Sequence, residues 1–341
     1  MANLTRKTTV LAKQEATYNP DPETTLSAST DTMLLTGDGA GVLSMDTTVV
    51  DTPLLRASVQ PQSPLVGRST NTVNISSYVM TSRAAGAGAA DILPWWDAIL
   101  SGVGLEATTG DDATQSSSAI YRPVATPKST AFEVYADGIK HRVSGAYGSS
   151  LNMNFTAGST ATFDATFSGI YAAPTASSPT FAYPSDNKRL VESEALTIGS
   201  YSPIVRSMAL SLSNTVSERG DANSSYGFGG FELTGRASST LDLTIEVPND
   251  ALTTFNPFPE LYTAAGSGDN ITFKHITTGP VADPLEFVQF DFTSPMLVMV
   301  AYADDGGVRT YNLQYRLFAD DVSDAAGRGE EITITFKRKV T

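Results

Sequence analysis

The chain reads as a mainly β protein: two tandem β-sandwich or barrel domains, each flanked by one short α-helix. Three observations carry this reading: a stretch used twice, apolar side chains alternating at period two, and Gly-containing turns between the alternating runs. Residues 65–80 read LVGRSTNTVNISSYVM, and 168 positions later residues 233–248 read LTGRASSTLDLTIEVP. Five of the sixteen aligned pairs are identical, Gly67/Gly235 and Arg68/Arg236 among them, and most others agree in kind, such as Val73/Leu241 and Ile75/Leu243. Self-similarity at a fixed period marks a repeated structural unit. A length of 341 residues suits two domains of ordinary size. The repeat divides the chain into 1–172 and 173–341, with Gly67, Arg68, Gly235 and Arg236 as equivalent structural positions.

Taken in order, the chain opens with a basic, polar arm, then TTVLAKQEATY, then a loop at NPDP, where Pro20 and Pro22 forbid regular structure. GDGAG at 37–41 lacks the context of a phosphate loop and reads as a turn before the strand VLSMDTTVV. In the repeated stretch Leu241, Leu243, Ile245 and Val247 face one way and Asp242, Thr244 and Glu246 the other, as in a strand with one buried side. After each copy, proline introduces a short helix, at 94–102 (PWWDAILSG) and at 257–266 (PFPELYTAAG). Both have aromatics at the start, an acid in the first turn and glycine at the stop, so Trp95, Trp96, Phe258 and Leu261 are the expected helix-packing residues. Each half then returns to strands. AFEVYADGIKHRVSG is a hairpin about Asp137-Gly138, followed by SLNMNF, a turn at Ala157-Gly158, and ATFDATFSG. LEFVQFDF and PMLVMVAY precede a turn at 304–307 and RTYNLQYRLF. Residues 172–190, rich in Pro, Ser and Ala, form the seam between copies, and EITITFKRK closes the chain as a strand.

Composition excludes several classes. The chain has 22 Lys+Arg against 36 Asp+Glu, and seven of those cations with two of the acids lie near the ends. Residues 14–327 therefore carry 15 cations against 34 acids, or −19. Such a body repels phosphate backbones, which disfavours sequence-specific DNA binding. With no cysteine there is no disulfide framework and no thiolate metal site. No run approaches the roughly 20 apolar residues of a membrane helix, and no apolar leader core follows Arg6 and Lys7. The expectation is a soluble protein, away from membranes, in the cytoplasm where it is made.

No catalytic or metal-binding motif stands out, so no catalytic, metal or cofactor residue is assigned. His141 and His275 lie in strand-like sequence without convergent partners and read as surface or interface residues. The acidic turns at Asp304-Asp305 and Asp320-Asp321 are too short for calcium loops. Arg219-Gly220-Asp221 begins a Gly/Ser-rich loop and reads as a mobile loop tip. Adjacent Trp95 and Trp96 point in different directions on a helix, so core packing is preferred to a sugar-binding platform. An adhesive or carbohydrate-binding β-sandwich of a virion remains the alternative function.

Against this background three stretches resemble the tail tube (major tail) proteins of long-tailed bacteriophages. They are LAKQEATYNPDP, RSTNTVNISSYVM followed by PWWDAILSGVG, and VYADGIKHRVSGAYGSSLNMNFTAGSTATFDATFSGIY. The resemblance implies tail-tube-like β domains, a virion tail protein assembled in the host cytoplasm, and subunits that form stacked rings through which double-stranded DNA leaves the capsid. By analogy, a duplicated chain implies a trimer per ring with pseudo-sixfold symmetry, and other tail proteins at the tube ends. Carboxylates facing the lumen would keep DNA from sticking over about a Debye length, roughly 8 Å at physiological salt. For the basic ends, Arg6 to Lys13 and Lys337 to Lys339, two readings stand side by side: pairing with acidic surfaces of neighbouring subunits, or solvated basic tails.

Overall fold

Alternation at period two becomes two antiparallel sheets in the computed structural model, which describes residues 7–18, 25–37, 41–51, 63–81, 93–112, 116–185, 188–192, 194–224, 228–250, 254–262, 269–278, 286–293, 295–318 and 331–339. The first half contributes β1 (Thr8–Gln14), β2 (Leu43–Val50), β3 (Leu65–Tyr78), α1 (Asp97–Gly102), β4 (Leu105–Asp112), β5 (Ser116–Pro123), β6 (Thr130–Ala136), β7 (Ile139–Thr156) and β8 (Thr162–Ala176). The second contributes β9 (Ala195–Ile198), β10 (Val205–Gly220), β11 (Phe228–Glu246), a 3-10 turn (Phe258–Tyr262), β12 (Ile271–Thr278), β13 (Glu286–Phe292), β14 (Met296–Asp305), β15 (Val308–Arg316) and β16 (Thr333–Lys339).

The large sheet runs β14-β15-β11-β10-β7-β8-β3-β2, with β6 added beside β7 and β1 beside β6. The small sheet runs β4-β5-β16-β13-β12-β9. Apolar side chains of the large sheet alternate inward: Val73 and Ile75 on β3, Phe163 and Phe167 on β8, Leu241, Leu243 and Ile245 on β11. They meet the small sheet through ring contacts such as Phe155–Phe273 at 5.0 Å and Phe155–Phe290 at 5.4 Å. One apolar cluster runs through residues of both halves. The C-terminal strand β16 adds to this continuity by lying between β5 of the first half and β13 of the second.

Several local expectations hold. Asp137 (φ 43°) and Gly138 (φ 93°) form the left-handed pair that a two-residue hairpin requires between β6 and β7. Gly158 (φ 75°) turns β7 into β8, and Gly306 and Gly307 turn β14 into β15.

Others are corrected. The segment 139–156 is a single strand rather than a hairpin arm followed by a separate strand. It bends at bulges between Ser144 and Ser150, where Gly145 has φ 58° and its N–H is held by the buried Glu15 carboxylate at 3.0 Å. The N-terminal arm is likewise not free over 8–14: β1 pairs with β6 from Thr8↔Ala136 to Gln14↔Thr130 and buries Val10, Leu11 and Ala12. The second helix candidate is, over its described residues, a 3-10 turn, closed by the Glu260 N–H donating to the Pro257 carbonyl at 3.1 Å. The rest of that candidate, 263–266, lies outside the described residues, as do Pro20, Pro22, residues 38–40 of GDGAG, residues 225–227 of the Gly/Ser-rich loop, and Asp320-Asp321.

Candidate assembly edges

The large sheet is written in two quartets with the same internal order. In β2-β3-β8-β7 and in β10-β11-β15-β14, a hairpin is joined through its second strand to the second strand of a later hairpin. The registers agree as well. Val73 faces Phe167 and Ile75 faces Ala165 across β3·β8, while Leu241 faces Tyr315 and Leu243 faces Leu313 across β11·β15. The offset of 168 carries the first strand of one pairing onto the first strand of the other. The quartets follow one another head to tail, joined where β7 pairs β10 from Thr156↔Ser207 to Ser150↔Ser213.

This arrangement leaves the path with two free ends: β14 is paired only to β15, and β2 only to β3, among the described residues. An edge strand presents unpaired N–H and C=O groups, a template for another strand. Exposed apolar side chains follow the same division. At the internal junction Leu212 and Met153 are 0% exposed, whereas Met45 on β2 is 49% and Tyr302 on β14 is 55% exposed. Val49, Val50, Leu65 and Val66 at the far end of the β2–β3 hairpin are exposed too.

The face of the large sheet turned away from the core is polar. One cross-strand row reads Ser76, Asp164, Asn152, Ser211, Thr240, Arg316 on successive strands. The Ser76 hydroxyl donates to Asp164 at 2.5 Å, Ser211 to Asn152 at 2.6 Å and the Gln314 amide to Asp242 at 2.8 Å. These short side chains satisfy one another across strands and leave a smooth surface, acidic at Asp46, Asp164 and Asp242, with Arg316 toward one end.

The sequence-predicted residues take varied places. Trp96 is wholly buried, stacks on Phe163 at 4.6 Å, meets Phe336 edge-on at 5.3 Å and donates its indole N–H to the Met80 carbonyl at 2.9 Å. Trp95 is also buried, so the pair presents no platform to solvent. Phe258 packs on Tyr302 and Tyr311 at 5.6 and 6.1 Å, and the half-buried Leu261 joins the same core. A Cβ on Gly67 would meet the Thr48 carbonyl at 2.9 Å, a close approach only glycine allows, whereas Gly235 faces open space. Arg68 pairs with Glu218 and lies over the Phe228 ring at 5.7 Å. Arg236 is more deeply placed, 2.7 Å from Glu331, with a bond to the Val103 carbonyl at 3.3 Å. Burial lowers the Arg236 pKa and raises that of Glu331, each opposed by the other's charge.

Some placements overturn the sequence reading. His275 is fully buried, with Nδ1 2.8 Å from Glu194, rather than a surface residue. Glu194 is 81 positions away, so no local spacing signals the pair. His141 is half-buried and bonded to the Tyr171 hydroxyl at 2.8 Å. Two residues of the basic ends are paired within the chain, Lys7 with Asp137 at 2.8 Å and Arg338 with Glu286 at 3.0 Å, while Arg6 lies outside the described residues. Asp221 receives the Asn223 N–H and the Ser224 hydroxyl, a capped turn at the start of its loop.

Two first-turn acids are both raised by burial but have different neighbours. Burial lifts the Asp97 carboxyl, opposed by the Tyr121 hydroxyl donating to it at 2.6 Å. Burial, then the charge of Asp269, pushes Glu260 up to about 7. No group of three or more His, Cys, Asp or Glu able to hold a metal occurs among the described residues, and no described helix is long and apolar enough to cross a membrane.

The exposed features of the sandwich are two sheet ends, β2 and β14, and one polar sheet face. The chain matches the family described as phage tail tube protein over residues 5–336, and it belongs to that family. It is thus a bacteriophage structural protein of the virion tail, from a family that self-assembles into a tube and meets other tail proteins. No curated protein matches the chain.

Proposed function

We propose that this protein builds the tail tube as rings of three chains, each chain supplying two sixths of a pseudo-sixfold ring, and that the stacked rings conduct double-stranded DNA into the host. The carrying observation is the head-to-tail repetition of two like quartets in one sheet, β2-β3-β8-β7 and β10-β11-β15-β14. A heterologous contact that repeats closes into a ring when its rotation divides a full turn without a rise, and otherwise gives an open filament. The division at 172/173 is then a boundary between copies of an ancestral unit rather than between separately folded bodies, since β16 and the common core tie the halves together.

The polar face suits the lumen. Asp46, Asp164 and Asp242 repel phosphates among hydrogen-bonded Ser, Thr and Asn side chains, with Arg316 and Met299 confined to the β14–β15 end of the face. The reading needs no catalytic group, cofactor or specific DNA contact, and places assembly in the host cytoplasm before the finished virion. Electron microscopy of the purified protein at rising concentration tests it. End views with three chains and six similar lobes support the ring; monomers at every concentration, with or without a tail-tip complex to start assembly, sink it.

A further inference from the structure

From the repeated quartets we infer the contact between copies at the level of residues: β14 of one chain pairs with β2 of the next in the register that joins β7 to β10 within a chain. This rests on the ring reading and specifies its interface. The two quartets superimpose by register alone. Leu210 faces Leu241 as Leu43 faces Val73, so β10 and β2 correspond with Leu210 on Leu43 and Leu212 on Met45. Met153 faces Phe163 as Tyr302 faces Tyr311, and Leu151 faces Ala165 as Val300 faces Leu313, so β7 and β14 correspond likewise. Transferring Leu210↔Met153, Ser211↔Asn152 and Leu212↔Leu151 to the free edges gives Leu43 opposite Tyr302, Ser44 opposite Ala301 and Met45 opposite Val300.

Burial supports the transfer. The junction positions are closed within the chain, whereas Met45 and Tyr302 are half in water. A second copy is the occupant that supplies a β2 edge to every β14 edge and a β14 edge to every β2 edge. The hairpin tips agree. The β10–β11 hairpin leans on the first half, where the Phe231 N–H donates to the Tyr18 hydroxyl at 2.6 Å and Glu218 pairs with Arg68. The corresponding β2–β3 tip exposes Val49 and Leu65, and in the inferred contact it lies on the second half of the neighbouring copy.

Because the chain lacks cysteine, disulfide trapping has no background. Ser44 and Ala301 lie on the outer polar face, so the double variant Ser44→Cys/Ala301→Cys leaves the core untouched. Under mild oxidation of the assembling full chain, it is expected to give cross-linked dimers and then trimers as the terminal species on a non-reducing gel. Ser44→Cys/Met299→Cys, displaced by two residues, is expected to give little of either. Rings by microscopy in which Ser44→Cys stays unlinked to Ala301→Cys, or links to Met299→Cys instead, overturn the register and leave the tube reading standing. Absence of both rings and cross-links under all assembly conditions overturns the contact and the tube reading together.

Discussion

At the β7·β10 junction, backbone groups are paired and Leu151, Met153, Leu210 and Leu212 are sealed from water; at β2 and β14, corresponding positions carry Met45, Val300 and Tyr302 on strands with one side open. The residue types hardly differ. What differs is whether a neighbouring strand is present: the junction is a finished interface, and in the proposed ring the two edges are the halves of another. An isolated edge of this kind is an aggregation hazard unless its match is a productive partner.

That comparison can be broken most severely from within. Trp96→Ala removes a wholly buried indole stacked between the sheets and should cost about 3–5 kcal/mol, read as a fall in the denaturant midpoint. Leu212→Ala should cost about 2–5 kcal/mol because it opens a cavity in the closed junction. Its counterpart Met45→Ala should change monomer stability by about 0.5 kcal/mol or less, as a surface substitution does, while weakening ring formation in sedimentation velocity. Equal stability losses in the two variants would erase the distinction between closed and open edges.

A smaller effect is expected at the bend of β7. Glu15 accepts the Gly145 N–H and the Ser129 hydroxyl in a buried site, so Glu15→Ala should cost about 1–3 kcal/mol by orphaning those donors. Hydrogen exchange should show it as faster exchange at Gly145.

A further effect, shared by the two halves, is in pH. Glu260 has a folded pKa of about 7, above its ordinary value near 4.5, so the folded state holds its proton more tightly than the unfolded state. The stability it contributes is fully present below about 4.5 and is lost as pH rises through about 7. Glu260→Gln should flatten thermal stability between those limits; an unchanged slope would reject Glu260 as the source. Asp97, lifted by burial but bonded to Tyr121, changes in the same direction at the other half.

How much of this was legible depends on sequence distance. The alternation of Leu241, Leu243 and Ile245 and the Asp137-Gly138 turn are local, and both appear as expected. Trp95 and Trp96 are both buried at the start of α1, where adjacent positions alone do not say which one enters the core. By contrast, the Glu15 carboxylate reaches Gly145 across 130 positions and Glu194 reaches His275 across 81, so neither the bend nor the buried histidine has a spacing to betray it. The arm becomes a strand for the same reason, since its partner β6 lies more than a hundred residues away. At 257–262 the aromatic, acid and proline pattern predicts an α-helix, whereas the described residues form a 3-10 turn at Phe258–Tyr262.

By itself the sequence determined which side chains share a strand face, where hairpins turn, and that one strand pattern recurs after 168 positions, because these depend on neighbours along the chain. The tertiary structure alone decided that β16 lies between β5 and β13, that β7 meets β10, and that among the described residues β2 and β14 are left as edges. Every strand offers the same N–H and C=O groups, so pairing is chosen by which arrangement buries all the apolar faces at once. That choice is made by the whole chain together.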